Sequence, residues 1–188
     1  MTAERAMKQR RIGPFSVTAI GLGCMNLSHA YGAPPPQPAS EALLLGALAA
    51  GVTCFDTAAL YGFGANEELV GRTLRPHRKE ILLASKCGMT GVDGKRVIDG
   101  RPATIKRTCD ESLRRLQTDV IDLYYLHRVD PQVPIEDTVG AMVRLVEQGK
   151  IRHIGLSEAG RRRFAAPTQS ILSLQFKAST PCGPGTTR

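Results

Sequence analysis

Short apolar runs alternate with longer amphipathic stretches from about residue 8 to residue 156. The runs at 17–22, 53–55, 81–84, 121–126 and 151–156 are short and largely apolar, which makes them strand candidates. Helical stretches lie between them. Residues 40–50 open with a cap-like Ser40 and are apolar at most positions. Residues 66–74 carry Glu67 and Glu68 in the first turn, where the helix dipole favours acids. Residues 102–116 start on Pro102, at a position that needs no N–H, and set Ile105, Cys109, Ser112, Leu113 and Leu116 on one face. Residues 135–148 space Val139, Met142, Val143 and Val146 helically and stop at Gly149.

Strand–helix alternation with short connections predicts a parallel sheet. Five units in about 155 residues give roughly thirty residues per unit, the repeat of an α/β (β/α)8 TIM barrel. A doubly wound sheet has the same alternation and is the rival. Residues 10–18 predict a hairpin ahead of the first barrel strand, 33–38 (APPPQP) a proline-rich loop, and 86–101 a long glycine-bearing loop after the third strand. In a barrel, loops at the C-terminal ends of strands carry chemistry.

Composition adds little to this picture: 188 residues, 42% hydrophobic and 22% charged, suit a globular chain with one core. No apolar run approaches the ~20 residues of a membrane span. The N-terminus, MTAERAMKQRR, has no apolar segment of a secretion signal, so a cytoplasmic location without membrane partners is expected. Cys24, Cys54, Cys87, Cys109 and Cys182 are an odd set without metal-ligand spacing, which predicts reduced thiols and no metal. The net charge of +8 is unevenly placed: residues 1–159 hold 20 basic against 17 acidic residues, and residues 160–188 hold five basic and no acid. The excess belongs to a short tail, which argues against a nucleic-acid partner.

Four polar residues sit at or just beyond predicted strand ends: Asp56, Tyr61, Lys86 and His127. In a barrel such ends converge on one mouth. Together these types suit protonation of a carbonyl oxygen while hydride arrives at carbon. A phenol is a poor acid at neutral pH, and a neighbouring ammonium favours its phenolate. A carboxylate fixes the lysine, and a histidine orients the carbonyl. Each residue also has an ordinary reading: Asp56 as a helix cap, Tyr61 as loop packing, Lys86 as a solvated lysine, His127 as a satisfied strand-end histidine. Composition and periodicity leave both readings open.

At these residues the chain resembles the aldo-keto reductases. GVTCFDTAALYGFGANEELVGRTL is similar to the family signature GxxxxDTAxxYGxGxxEExVG, and ILLASKCG to its lysine strand. The stretch from DESLRRLQTDVIDLYYLHRVD to GKIRHIGLSEA follows its SLxRLxxDxIDLYxxHRxD and GKxRxIGxSxA patterns, and GLGCMNLSHAYG resembles its first strand and loop. The resemblance covers roughly residues 10–159. It implies NADPH-dependent reduction of a small-molecule aldehyde or ketone. Tyr61 is then the general acid, Lys86 and Asp56 tune it, and His127 orients substrate. It also implies that Gly23, Met25 and Asp56 border the cofactor and that Ser157 and Glu158 meet the nicotinamide carboxamide, although many members carry Asn where this chain has Glu158. No GxGxxG follows a strand, so the cofactor is implied by the resemblance alone. A silent barrel fragment, or a binding or regulatory module, is compatible with the same fold.

After Ala159 the character changes: GRRRFAAPTQSILSLQFKASTPCGPGTTR has three consecutive arginines and a Pro/Gly/Thr close. A disordered extension is the ordinary reading. The genetic code offers a sharper one. For codons begun at the third base of each present codon, the last two bases are fixed by the first two of the following residue, apart from six-codon ambiguities. Residues 164–171 then allow Ile-Arg-Arg-Ala-His-Ala-Val-His, residues 172–176 Pro-Ile-Thr-Ala-Val, and residues 176–188 Gln-Gly-Glu-Tyr-Ser-Leu-Trp-Thr-Arg-Asp-Asn-Glu. That string resembles the family's sixth-strand passage, IRRAHAVHPITAxQxEYSLWTRDxE. The expectation is a partial barrel over residues 1–159, truncated by a frame displacement near 159–160, with an irregular tail at 160–188 that adds no comparable sixth strand.

Overall fold

The computed structural model describes residues 7–28, 32–92 and 94–157. An antiparallel hairpin, β1 (Gln9–Ile12) and β2 (Phe15–Thr18), comes first, turning at Gly13. Five parallel strands follow: β3 (Leu22–Gly23), β4 (Cys54–Asp56), β5 (Leu82–Cys87), β8 (Ile121–Leu126) and β9 (Ile151–Leu156). Helices α1 (Gln37–Ala49), α2 (Ala65–Leu74), α3 (Pro102–Leu116) and α4 (Ile135–Glu147) make the crossovers, and a second hairpin, β6 (Met89–Val92) with β7 (Lys95–Ile98), precedes α3. Spatial order β3-β4-β5-β8-β9 equals chain order. Because the strand order never reverses, crossovers of the usual right hand keep every helix on one face, the winding of a barrel. A doubly wound sheet needs a reversal in strand order, and none occurs among the described residues.

Helices and sheet enclose the main core. Leu44, Leu69, Val70, Leu74, Ile105, Cys109, Leu116, Met142 and Leu145 on the helices pack against Phe55, Leu83, Tyr124 and Leu126. Each fully buried Leu, Ile or Met contributes about 1.5–3 kcal/mol. A second cluster fills the inner face: Val17, Leu82, Ala84 and Leu123, with Phe15, Cys54 and Tyr125 against it. The β1–β2 hairpin therefore plugs the interior. Its Phe15 meets His153 edge-on at 4.8 Å, and Thr18 and Thr53 exchange backbone-to-hydroxyl bonds of 2.9 and 3.1 Å.

Several expectations change. The run 17–22 is not one strand: residues 17–18 belong to the plug, 22–23 to the sheet, and Ile20 between them is exposed. Ser40 does not cap α1. Pro36 takes the cap position and the helix begins at Gln37, with the first bond from Ser40 N–H to the Pro36 carbonyl at 3.1 Å. The loop expected at 86–101 holds the end of β5 and the β6–β7 hairpin. The described residues give four strand–helix units and a fifth strand. The tail expectations and Glu158 fall outside the described residues. No described helix is long and apolar enough to cross a membrane.

Candidate active site

Strand alternation decides which side chains reach the interior. Leu82 and Ala84 face inward on β5, so Lys86 does too; Leu123 does on β8, and the same parity passes through Tyr125 to His127. Asp56 pairs in register with Gly23 and Ala84, and Lys86 with Tyr125. Residues beyond the strand ends stay on the ladder: Thr57 N–H donates to Ala84 O (2.9 Å), His127 N–H to Cys87 O (2.9 Å) and Ser157 N–H to Leu126 O (3.0 Å). The inward positions at the C-terminal ends are thus Asp56, Lys86, His127 and Ser157.

Lys86 is the hub of this mouth and is only 8% exposed. Its ammonium donates to Asp56 Oδ2 at 2.5 Å, to the Thr57 carbonyl at 2.8 Å and to Tyr61 Oη at 3.1 Å. An ammonium has three N–H donors, so these partners account for all of them. A buried ammonium without such partners would be strongly disfavoured. The Asp56 carboxylate supplies the opposite charge, and Asp56 acts here as a lysine partner and not as a helix cap.

Tyr61 opens a tight turn, Tyr61–Gly64, in which Gly62 (φ 56°), Phe63 (φ 52°) and Gly64 (φ 100°) are all left-handed. Phe63 has no glycine freedom there, a cost of about 1–2 kcal/mol. Gly62 is required for a second reason: a Cβ would lie 2.9 Å from that of Ser28. The turn holds the Tyr61 side chain against Ala58 and Leu60, with Met25 and Met89 packed beside them.

His127 completes the group. Its ring meets that of Tyr61 edge-on, centroids 5.9 Å apart. Burial first, then the charges of Lys86, Arg128 and Arg96, push its pKa down to about 4. The imidazole is therefore neutral at neutral pH and presents one N–H donor and one acceptor. Cys24, buried beneath Asp56, is pushed up to about 12 by burial and then by the carboxylate, so it is a packed thiol and not a nucleophile.

The residues expected beside a nicotinamide also have places. Gly23 ends β3 next to Asp56, and a Cβ added there would meet no atom within 4 Å, leaving an open floor at the mouth. Met25 begins a short 3-10 turn after β3. Ser157 follows β9, with its hydroxyl 3.4 Å from Arg128 Nη1. Arg128 also donates to the His127 carbonyl at 2.7 Å and so joins the ends of β8 and β9. Among the described residues no group of His, Cys, Asp and Glu is arranged to hold a metal. An open groove of about 730 Å³ lies to one side, lined by Arg96, Ile98, Asp99, Arg101, Asp130 and Gln132. None of Asp56, Tyr61, Lys86 or His127 lines it.

A lysine shared by a carboxylate and a phenol, beside a neutral histidine at the mouth of a parallel sheet, is the geometry that the sequence resemblance implied. The sequence profile of the Aldo/keto reductase family matches residues 19–167. The chain belongs to the aldo/keto reductase family.

Among relatives, aldo-keto reductase yakc of Schizosaccharomyces pombe, whose name carries NADP(+), is 44% identical over 176 residues, covering 90% of this chain and 52% of its own length. The holo form of AKR11C1 from Bacillus halodurans superposes with a TM-score of 0.73 at 38% identity, over 80% of this chain and 50% of that one. An aldo/keto reductase from Klebsiella pneumoniae in complex with NADP and acetate gives 0.63 at 38% identity, over 79% and 48%. The chain spans about half the length of these relatives. Sequence reasoning singled out the four residues that meet at this mouth but missed Thr57, which contributes a backbone carbonyl that no side-chain pattern reveals. It also missed Arg128, whose position directly after His127 was the available signal.

Proposed function

We propose that this chain carries the catalytic half of an NADPH-dependent reductase of aldehydes and ketones, with Asp56, Tyr61, Lys86 and His127 as its working groups. The observation that supports this most is the three-way bonding of Lys86 to Asp56, Thr57 and Tyr61. Because the Tyr61 oxygen accepts from the ammonium, its own O–H remains the donor toward a carbonyl oxygen. The phenolate left after donation lies next to a fixed positive charge, which lowers the cost of the step. Asp56 holds that charge in place. Neutral His127 donates an N–H to the same carbonyl oxygen and orients the substrate. Gly23, Met25, Asp56, Ser157 and Glu158 would border the nicotinamide, and the open floor at Gly23 fits a flat ring. NADPH, when bound, supplies the hydride.

Turnover also needs the rest of the cofactor contact, which the family resemblance implies would come from the part of the barrel this chain does not match. We further propose that residues 160–188 are read out of frame from a gene whose displaced frame encodes the family's sixth strand. Catalysis in the cytoplasm on a small carbonyl compound follows from the same reading. The test is NADPH oxidation with a panel of aldehydes and ketones, by this chain and by a frame-restored one side by side, together with resequencing through the codon for Ala159. Saturating, Tyr61-dependent turnover by the restored chain is expected. A restored chain that binds NADPH but reduces no carbonyl compound would favour the binding-module reading.

A further inference from the structure

Asn66 stands at the start of α2, two residues beyond the turn that carries Tyr61, and is completely buried. An asparagine amide has two donors and an accepting oxygen, and here both ends are engaged. Nδ2 donates to the Cys24 carbonyl at 2.8 Å and to Ser28 Oγ at 3.0 Å, while Oδ1 accepts from Thr57 Oγ1 at 2.6 Å. The orientation is fixed by its surroundings: a flipped amide would set its oxygen against the Cys24 carbonyl. Three separate segments thus meet on one side chain. They are the turn after β3 that bears Met25, the Thr57 end of β4, and the exit of the Tyr61 turn.

Thr57 is what Asn66 holds, and Thr57 touches the proposed chemistry. Its N–H is fixed by Ala84, its hydroxyl by Asn66, and its carbonyl is the neutral acceptor of Lys86 at 2.8 Å. With both sides of the residue tied, the carbonyl has one direction, toward Nζ. We propose that Asn66 is a positioning residue for the Lys86–Tyr61 pair, acting through Thr57. This rests on the reading of Lys86 and Tyr61 above and adds a residue that reading does not contain. Without the amide, the Thr57 carbonyl can rotate away, the ammonium loses one of its three acceptors, and its alignment on Tyr61 Oη loosens.

The experiment follows the Lys86 ammonium directly and needs no turnover. In the 188-residue chain with 15N-labelled lysine, the Lys86 ammonium signal is identified by its loss in Lys86→Met, and its proton exchange with solvent is measured beside thermal unfolding. The unsubstituted chain should show a slowly exchanging Lys86 signal. Asn66→Ala and Thr57→Val should each speed exchange by about tenfold, the factor of about one lost net hydrogen bond, and Thr57→Ser, which keeps the hydroxyl, should restore slow exchange. If Asn66→Ala does not fold, Thr57→Val, which preserves volume, decides. The proposal is overturned if Asn66→Ala lowers the melting temperature while Lys86 exchange stays unchanged, if Thr57→Val leaves exchange unchanged, or if the unsubstituted chain shows no protected Lys86 signal. Protected exchange that responds to these variants, alongside a frame-restored chain that reduces no carbonyl compound, would leave this proposal standing and remove the functional one alone.

Discussion

At the scale of single residues, the site separates groups by their surroundings. Tyr61 and His127 face each other at the mouth, yet only the phenol is bonded to the buried ammonium. Tyr61→Phe keeps the ring packing on Ala58 and Leu60 and deletes the proposed proton donor. In a frame-restored chain it should lower kcat by about 100- to 10,000-fold, the range of general-acid catalysis, with NADPH affinity nearly unchanged by fluorescence titration. His127 makes a separate prediction. Its pKa is 6.5 in the unfolded chain and about 4 in the fold. Between those values the unfolded state binds more protons, so stability rises with pH across this window and is lost as pH falls from about 6.5 to about 4. His153, also lowered by burial, adds to the same slope. Urea unfolding at a series of pH values should show the slope, and His127→Asn should flatten it. An unchanged slope in that variant would assign the effect elsewhere.

At the scale of elements, polar residues inside the fold decide where the strands end. The apolar run at 81–84 reads as a complete strand, but β5 continues through Ser85 and Lys86 to Cys87. Ser85 points to the helices, where its hydroxyl donates to Glu67 at 2.6 Å, and Lys86 points to the mouth. Both are buried polar residues satisfied by distant partners, which no local pattern reveals. β8 and β9 are legible to the residue: β8 is buried at every position but Tyr125, and β9 pairs along it from Ile151 to Leu156. The β6–β7 hairpin was hidden for the opposite reason: β7 is exposed throughout and carries no alternation. Glu67, which reads as a dipole-favoured first-turn acid, is a buried clamp: fully enclosed, it accepts from Ser85 and from Arg115 Nε at 2.7 Å, tying α2 to β5 and α3. Gly71 permits the approach, since a Cβ there would stand 2.5 Å from the Arg115 carbonyl. Glu67→Ala leaves Arg115 largely buried without its main partner and should cost about 3–5 kcal/mol in urea unfolding. A loss under 1 kcal/mol would mean that Glu111, 3.6 Å from Arg115 Nη1, replaces it.

At the scale of the whole molecule, the pattern of strand ends brought four residues far apart in sequence to one mouth, but it was the family resemblance, not the pattern, that singled them out over their ordinary readings. What holds them together was not legible: the Thr57 carbonyl and the Asn66 amide act over long sequence separations with no periodic signal. The same geometry governs the last prediction. Among the described residues β3 and β9 each pair on one side only. Parallel strands are normally covered on both faces and closed or protected at their edges. On the inner face Tyr125 and His153 are only half-buried, and Gly155 lets the Tyr125 ring lie across it, where a Cβ would sit 2.3 Å away. Further strands would cover these groups and add the remaining cofactor contact. Hydride transfer needs the nicotinamide held at fixed distance from the carbonyl carbon, and four aligned side chains do not supply that alone. The 188-residue chain should therefore unfold at lower temperature than its frame-restored counterpart, self-associate as concentration rises, and show little NADPH oxidation, whereas restoration should recover both closure and turnover. Parallel measurements by calorimetry, sedimentation and absorbance at the NADPH band separate the outcomes. Robust turnover by the short chain would mean that residues 160–188 complete the cofactor site, and would remove the out-of-frame reading of the tail.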